Sequence, residues 1–359
     1  MWAVRAFATR SGTSPQILEP ASCRWTRRIT GAGSGQFSFA LRDSDALPRD
    51  TMRTLLRPNG RTLAAMWGDH VAYAGIIKST SYDRESGFVT AETMEIRALL
   101  DKRMTGGVNQ YGAPWNRSYT GRSAAGAVRA VLQWAQSPSS EWTLPIDLPP
   151  DGAGPLERQV DFFETMTIND LISEIEDEAG VTVDFRPYVT SGGLLRWETR
   201  VIGPETVYGV TDLPVTVEGS RVTNLQVVED GSNQVTGILA LGNGTGEDML
   251  TAYAPTGGSG ATAIPVRDEK RTAKDTKKKA NLQRFADAEY AKWSVVREAW
   301  AFSTVVDDNL TPDMLAPGRQ LRMDVRGDEW LTDGLRTRRV ISLSGDLSMT
   351  LTPEVDDGS

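Results

Sequence analysis

Apolar and polar residues alternate in short runs over the first hundred positions, at 2–9, 22–29, 36–41, 62–67, 71–79 and 87–93. Phe37, Phe39 and Leu41 against Gln36 and Ser38 show the period of two that marks a half-buried strand. A Gly/Ser cluster at 31–35 and Pro58-Asn59-Gly60 supply turn chemistry between such runs. Five or six strands at this spacing predict a small barrel or sandwich, closed by a helical turn around 95–103.

The period then changes. In 123–135, Ser123 is placed to cap a helix whose Val128, Val131, Leu132 and Ala135 share a face. Residues 137–159 are rich in Pro and Gly and read as loop. A second helix is predicted at 168–179, capped by Thr167, lined by Ile168, Leu171, Ile172 and Ile175, and ended by Gly180. Its opposite face carries Glu174, Glu176, Asp177 and Glu178. Runs at 181–188 and 194–201 flank Ser191-Gly192-Gly193 and read as a hairpin. Strands return from about 215, followed by a loop at 253–263 and a long polar helix at 267–292. Only the second half of that helix has apolar residues at helical spacing: Leu282, Phe285, Ala286, Tyr290 and Trp293. Further strands are expected at 297–306, 319–326 and 338–352, the last turning near Gly345-Asp346. The acidic tail at 354–359 is expected to fray. The fold class is therefore α+β, mainly β. Two small β-barrel-like domains, 1–110 and 214–359, bracket an α+β domain at 111–213, with the helix at about 267–293 inserted in the last β region.

Composition removes more chemistry than it suggests. One His and one Cys in 359 residues preclude an internal disulfide and a structural zinc site. The net charge of −8 argues against wrapping a nucleic-acid backbone. Arg5 and Arg10 interrupt the N-terminal apolar residues, so no signal peptide is expected, and no run reaches the roughly 18 apolar residues of a membrane span. The protein is expected to be soluble and made in a reducing cytosol.

Each candidate for chemistry has an ordinary structural use. His70, in Trp67-Gly-Asp-His70, would need a serine and a carboxylate converging on it, and no G-x-S-x-G occurs; it reads as a turn residue. The stretches 31–36 and 242–247 imitate dinucleotide-binding loops but lack the third glycine and the strand–helix context, so they read as turns. The acidic cluster on the 168–179 helix is the densest place for a glycosidase pair, yet helical period sets most of it on a solvated face. The run 267–279, with seven basic and three acidic residues, has no interleaved aromatics and reads as a solvated helix lining an opening or packing on a neighbouring subunit. Trp67, Trp134, Trp197, Trp293 and Trp300 lie in apolar patterns and read as core or subunit contacts rather than sugar platforms. No catalytic, cofactor-binding or metal-binding residue is assigned.

A chain-long order of landmarks carries more. These are Gly35–Leu41, Trp67–Lys78, Tyr82-Asp83, Ile96–Arg103, the Thr167–Gly180 helix with its hairpin, Val222–Val228, Asn233-Gln-Val-Thr running into Leu241–Gly246, the Lys-rich segment, and Pro317-Gly-Arg through Trp330 and Asp333-Gly334 to Ile341. In this order the sequence resembles the tail-hub (baseplate-hub-like) minor tail proteins of long-tailed phages infecting high-GC bacteria. The resemblance implies a structural, non-enzymatic virion protein: a homotrimeric hub at the tip of a non-contractile tail. Such a hub adapts the six-fold tail to a three-fold tip and closes the channel until genome ejection. Implied partners are a distal tail protein, the tape-measure protein and other tail-tip or fibre proteins, with DNA passing transiently and unspecifically. Assembly is implied in the host cytoplasm, with no membrane span and no cofactor. Little sequence follows the last hairpin, which leaves little room for a lytic or receptor-binding module. A wall-degrading or host-receptor-binding tail-tip protein is the alternative.

Overall fold

The computed structural model describes residues 1–13, 15–42, 47–105, 116–137, 142–257, 264–274 and 276–356. With 44% of residues in strands and 18% in helices, the fold is α+β and mainly β. The chain forms two compact units: Met1–Asn224 together with Phe302–Val355, and Leu225–Ala301. The expected boundaries near 110 and 213 both fall inside the first unit.

The first unit begins with strands β1 (Trp2–Ala8), β2 (Gln16–Leu18), β3 (Ser22–Arg28) and β4 (Ser34–Ala40). Helix α1 (Arg49–Leu55) precedes β5 (Arg61–Trp67), β6 (His70–Asp83), β7 (Phe88–Met94) and a single turn, α2 (Arg97–Leu100). The middle segment holds β8 (Arg117–Arg122), α3 (Ala124–Ala135), β9 (Ile146–Asp147), β10 (Leu156–Val160), α4 (Ile168–Ala179), β11 (Thr182–Val189) and β12 (Leu195–Ile202). The remainder is β13 (Val210–Pro214), β14 (Val222–Asp230), β15 (Gly237–Leu241), β16 (Thr251–Ala254), β17 (Asp268–Thr272), α5 (Lys279–Trp293), β18 (Arg297–Val305), β19 (Gln320–Val325), β20 (Gly334–Gly345) and β21 (Thr350–Val355).

Among the described residues the largest sheet has thirteen strands, in the order β14-β18-β21-β20-β3-β4-β7-β6-β5-β1-β2, with β19 and β13 branching from β20. One antiparallel contact joins the early strands to the late ones: Arg28 of β3 lies opposite Ser342 of β20, and Trp25 opposite Gly345. Strand β20 is long enough to serve three neighbours, pairing β19 through 334–339 and then β21 and β3 through 340–345. Strand β6 works similarly, pairing β5 through 70–76 and β7 through 76–83, with a register shift inside the second ladder between Ile77 and Ser79. Such a shift bends the strand locally.

A single apolar cluster holds these strands to the helical middle. Phe7, Met66, Ile76 and Leu100 pack with Val128, Val131 and Leu132 of α3, Leu171, Ile172 and Ile175 of α4, and Trp197 of β12. Ser123 caps α3 by accepting from Gly126 N, and Thr167 with Asp170 forms a capping box on α4, which ends at left-handed Gly180. The segment read as loop at 137–159 contributes two short strands: β9 pairs in parallel with β12, and β10 pairs with β8.

In the second unit β16-β15-β17 form a sheet on which α5 packs through Leu282 and Ala286. Phe285, Tyr290 and Trp293 lie partly buried against the same cluster. The long helix expected from 267 begins only at Lys279. Residues 268–272 are instead β17, paired in parallel with Gly237–Leu241. Pairing on the open edge of β15 prevails over helix propensity there, and Lys278 is extended, so the triple-Lys segment does not extend the helix backwards. The expected loop at 253–263 is described as far as Gly257, where 251–254 is strand; 258–263 lie outside the described residues. Glu354 and Val355 of the expected frayed tail belong to β21, while 357–359 lie outside the described residues.

Candidate functional site

The most concentrated chemistry is a buried ionic junction between the early strands and the helical middle. On β3, Cys23, Trp25 and Arg27 point inward by strand parity. Arg27 Nη2 donates to Asp184 Oδ1 at 3.0 Å and Oδ2 at 2.8 Å. Glu95, buried just before α2, accepts from Gly33 N at 2.6 Å and Arg28 N at 3.5 Å. Burial pushes its carboxyl up to about 7, against the opposing pull of Arg27 and the Gly33 N–H. Gly33 allows this approach, since a Cβ there would stand 2.1 Å from Thr26 O and 2.6 Å from Glu95 Oε2. Two residues on, Arg97 holds Glu176 through Nη1–Oε1 at 2.9 Å and Nη2–Oε2 at 2.5 Å, and donates to Asn169 Oδ1 and the Val183 carbonyl. Among the described residues Arg27 Nε is buried without a hydrogen-bond partner, while the other contacts named here run between groups of the junction and its neighbours. The arrangement ties β3, α2, α4 and β11 together, with Glu95 and Asp184 both buried.

The residues singled out in the sequence do not meet. His70 is exposed at the β5–β6 turn, opposite Trp67. Cys23 is buried, and burial pushes its thiol up to about 12. The 31–36 stretch is the β3–β4 turn, and 242–247 is the turn after β15, so neither opens an α-helix. The acidic cluster on α4 divides: Glu176 turns inward to Arg97, correcting its expected solvated position, while Glu174 reaches Arg158 at 3.2 Å. In the basic run, Arg271 pairs with Glu269 at 2.9 Å and Glu289 at 3.4 Å. Trp67, Trp197 and Trp300 are buried, and Trp134 and Trp293 are partly buried against core clusters. Among the described residues no group of three or more His, Cys, Asp and Glu is placed to hold a metal ion. Among the described residues no helix is long and apolar enough to cross a membrane.

Two surface features were missed in the sequence. A polar groove of about 600 Å³ follows the β3–β20 seam, with Arg24, Gln36, Asp346 and the Lys78–Glu92 pair (3.1 Å) along it. It forms from strands remote in sequence, so no local pattern announces it. The other is exposed aromatic surface: Phe163 and Trp330 stand 67% and 79% exposed. Trp330 sits in an acidic Gly-Asp-Glu-Trp turn, a composition that signals display rather than core.

With this architecture, similarity to solved structures extends over nearly the whole chain. A tail protein from Neisseria meningitidis MC58 matches with a TM-score of 0.59 and 15% identity, covering 99% of this chain and 97% of the other. The two chains share a fold. The 43 kDa tail protein of prophage MuSo2 from Shewanella oneidensis gives 0.61 at 10% identity, covering 99% and 98%. The E. coli c3393 protein, a type VI secretion system component with structural similarity to T4 tail proteins gp27 and gp5, gives 0.52 at 12% identity, covering 99% and 77%. No protein-family model matches the chain, and no curated protein matches its sequence.

Proposed function

We propose that this chain is a structural hub protein of a non-contractile phage tail. It acts as a homotrimer at the tail tip, adapts the six-fold tail to a three-fold tip, and closes the channel until genome ejection. The observation that carries this reading is the tail-protein fold, matched end to end in two solved structures rather than through one module. The ionic junction supports it, because the best-placed acids are tied up in structural pairs. In a trimer, the β regions at 1–110 and 214–359 supply six related positions around the axis. Distal tail, tape-measure and other tip or fibre proteins are the partners, and the site of action is the virion after assembly in the host cytoplasm. The net charge of −8 suits a wall past which DNA slides without binding.

A density map of assembled tails, with this chain located in it, tests the reading together with light scattering on the purified protein. A three-fold ring at the tip is expected. A monomer in solution that is also missing from tail particles would overturn it.

A further inference from the structure

The β19–β20 turn holds its tryptophan outward by specific bonds. Asp328 Oδ1 accepts from Trp330 N at 2.9 Å and Leu331 N at 2.8 Å, and Asp333 Oδ1 accepts from Gly327 N at 2.7 Å. Leu331 is buried and anchors the turn, leaving the neighbouring indole 79% exposed. Arg326 is paired with Asp324 at 2.9 Å, and Arg336 is turned onto Thr332. The turn therefore offers an exposed indole on a backbone fixed by these bonds, beside the carboxylates of Asp328 and Glu329. A preorganised aromatic anchor loses little entropy on docking, and tryptophan is prominent among residues that dominate interfaces.

A surface of matching chemistry lies elsewhere in the same unit. Between α1 and the far ends of β6 and β7 is a cleft of about 660 Å³, with Met52, Leu56 and Val89 among its apolar lining and Arg49, Arg53 and Arg57 along it. Arg49 is engaged by Asp50, whereas Arg53 and Arg57 are exposed and make no ion pair among the described residues. An apolar floor flanked by two free guanidinium groups suits an aromatic side chain flanked by two carboxylates.

We propose that the Trp330 turn of one copy of this chain docks into the α1 cleft of the next, with the indole on the apolar floor and Asp328 and Glu329 against Arg53 and Arg57. The occupant is a second copy because one chain carries both complementary halves. The two halves are different patches, so the contact is head-to-tail, and it closes into a ring when the rotation between copies allows. The inference rests on the homotrimer reading and names the contact that builds it.

Cross-linking the full chain tests the docking. Cys23 is buried with its thiol pushed up to about 12, so it stays out of the reaction. An R57C chain co-expressed with an E329C chain and treated with a short bismaleimide is expected to give a covalent dimer that neither chain gives alone. W330A and R53E/R57E should each weaken self-association about tenfold or more, and adding E329R to R57E, which leaves the Asp328 bonds of the turn in place, should restore what R57E loses. All these positions are exposed, so unchanged far-ultraviolet circular dichroism is expected to accompany the loss, while the concentration dependence of the melting temperature falls with it. A wild-type trimer that W330A and R53E/R57E leave intact, with no mixed cross-link, overturns the docking and leaves the homotrimer standing. A wild-type chain that is monomeric at every concentration overturns both.

Discussion

Arg27 on β3 and Asp184 on β11 form an ion pair in which each side chain is 2% exposed, with a closest approach of 2.8 Å. Removing one partner of such a pair strands a charge in the interior, whereas replacing both with apolar residues removes the desolvation cost as well. R27A is expected to lower stability by about 3–5 kcal/mol in urea denaturation. R27M/D184L should be clearly more stable than R27A. Equal losses in the two variants would show that the charge itself is not what matters.

Glu95 makes stability depend on pH in a definite direction. Its carboxyl titrates near 7 in the folded protein, above the ordinary 4.5. The folded state therefore keeps a proton that the unfolded state has released, and this group lowers stability as pH rises from about 4.5 to about 7, with the cost constant beyond. E95Q carries no such charge. Its stability relative to wild type is expected to improve across that window by on the order of 2–3 kcal/mol, read from denaturation midpoints at pH 4.5, 6 and 8. A pH-independent difference would rule the assignment out.

Gly12 separates strain from crowding. It sits at φ +68, its carbonyl accepts from Leu195 N at 3.0 Å, and a Cβ would stand 2.0 Å from the Leu195 carbonyl oxygen. Gly68, at φ +58, has open space around the same position. G68A is expected to cost about 1 kcal/mol from backbone strain alone, and G12A about 2 kcal/mol more. Matching losses in a thermal melt would mean that β12 yields at that contact.

Cys23 should be silent until the protein opens. Its burial and raised thiol predict negligible reaction with a disulfide reagent at pH 7.5 under native conditions, and full reaction in denaturant. The native labelling rate then reports opening around β3. Rapid labelling without denaturant would contradict the packing described for that strand.

Where information was local, it was legible. The alternation of Phe37 and Phe39 gives β4, and Thr167 with Asp170 and Gly180 marks both ends of α4. The segment after Arg267 was misread because its charges fit a solvated helix equally well. Only the parallel edge of β15, some thirty residues earlier, makes it a strand. The ionic junction was half legible. Arg27 shares the inward parity of Cys23 and Trp25, so an arginine in the core was already written in β3, but its partner lies in a strand where Val183, Asp184 and Phe185 are all buried and parity is uninformative. Trp330, a landmark in the sequence, is illegible as a displayed residue for the opposite reason: tryptophan in an apolar pattern reads as core or subunit contact, and a displayed one is recognised only by its acidic, turn-forming neighbours.

The seam between β3 and β20 also sets a timetable for synthesis. Thr26 and Ser344, whose hydroxyls bond across it, are separated by 318 residues. At about 5–20 residues per second, β3 emerges from the ribosome with an unpaired edge on the order of tens of seconds before its partner exists. Strand edges left open recruit other strands. Slower translation or a stalled message should therefore raise the fraction of this chain lost to aggregation.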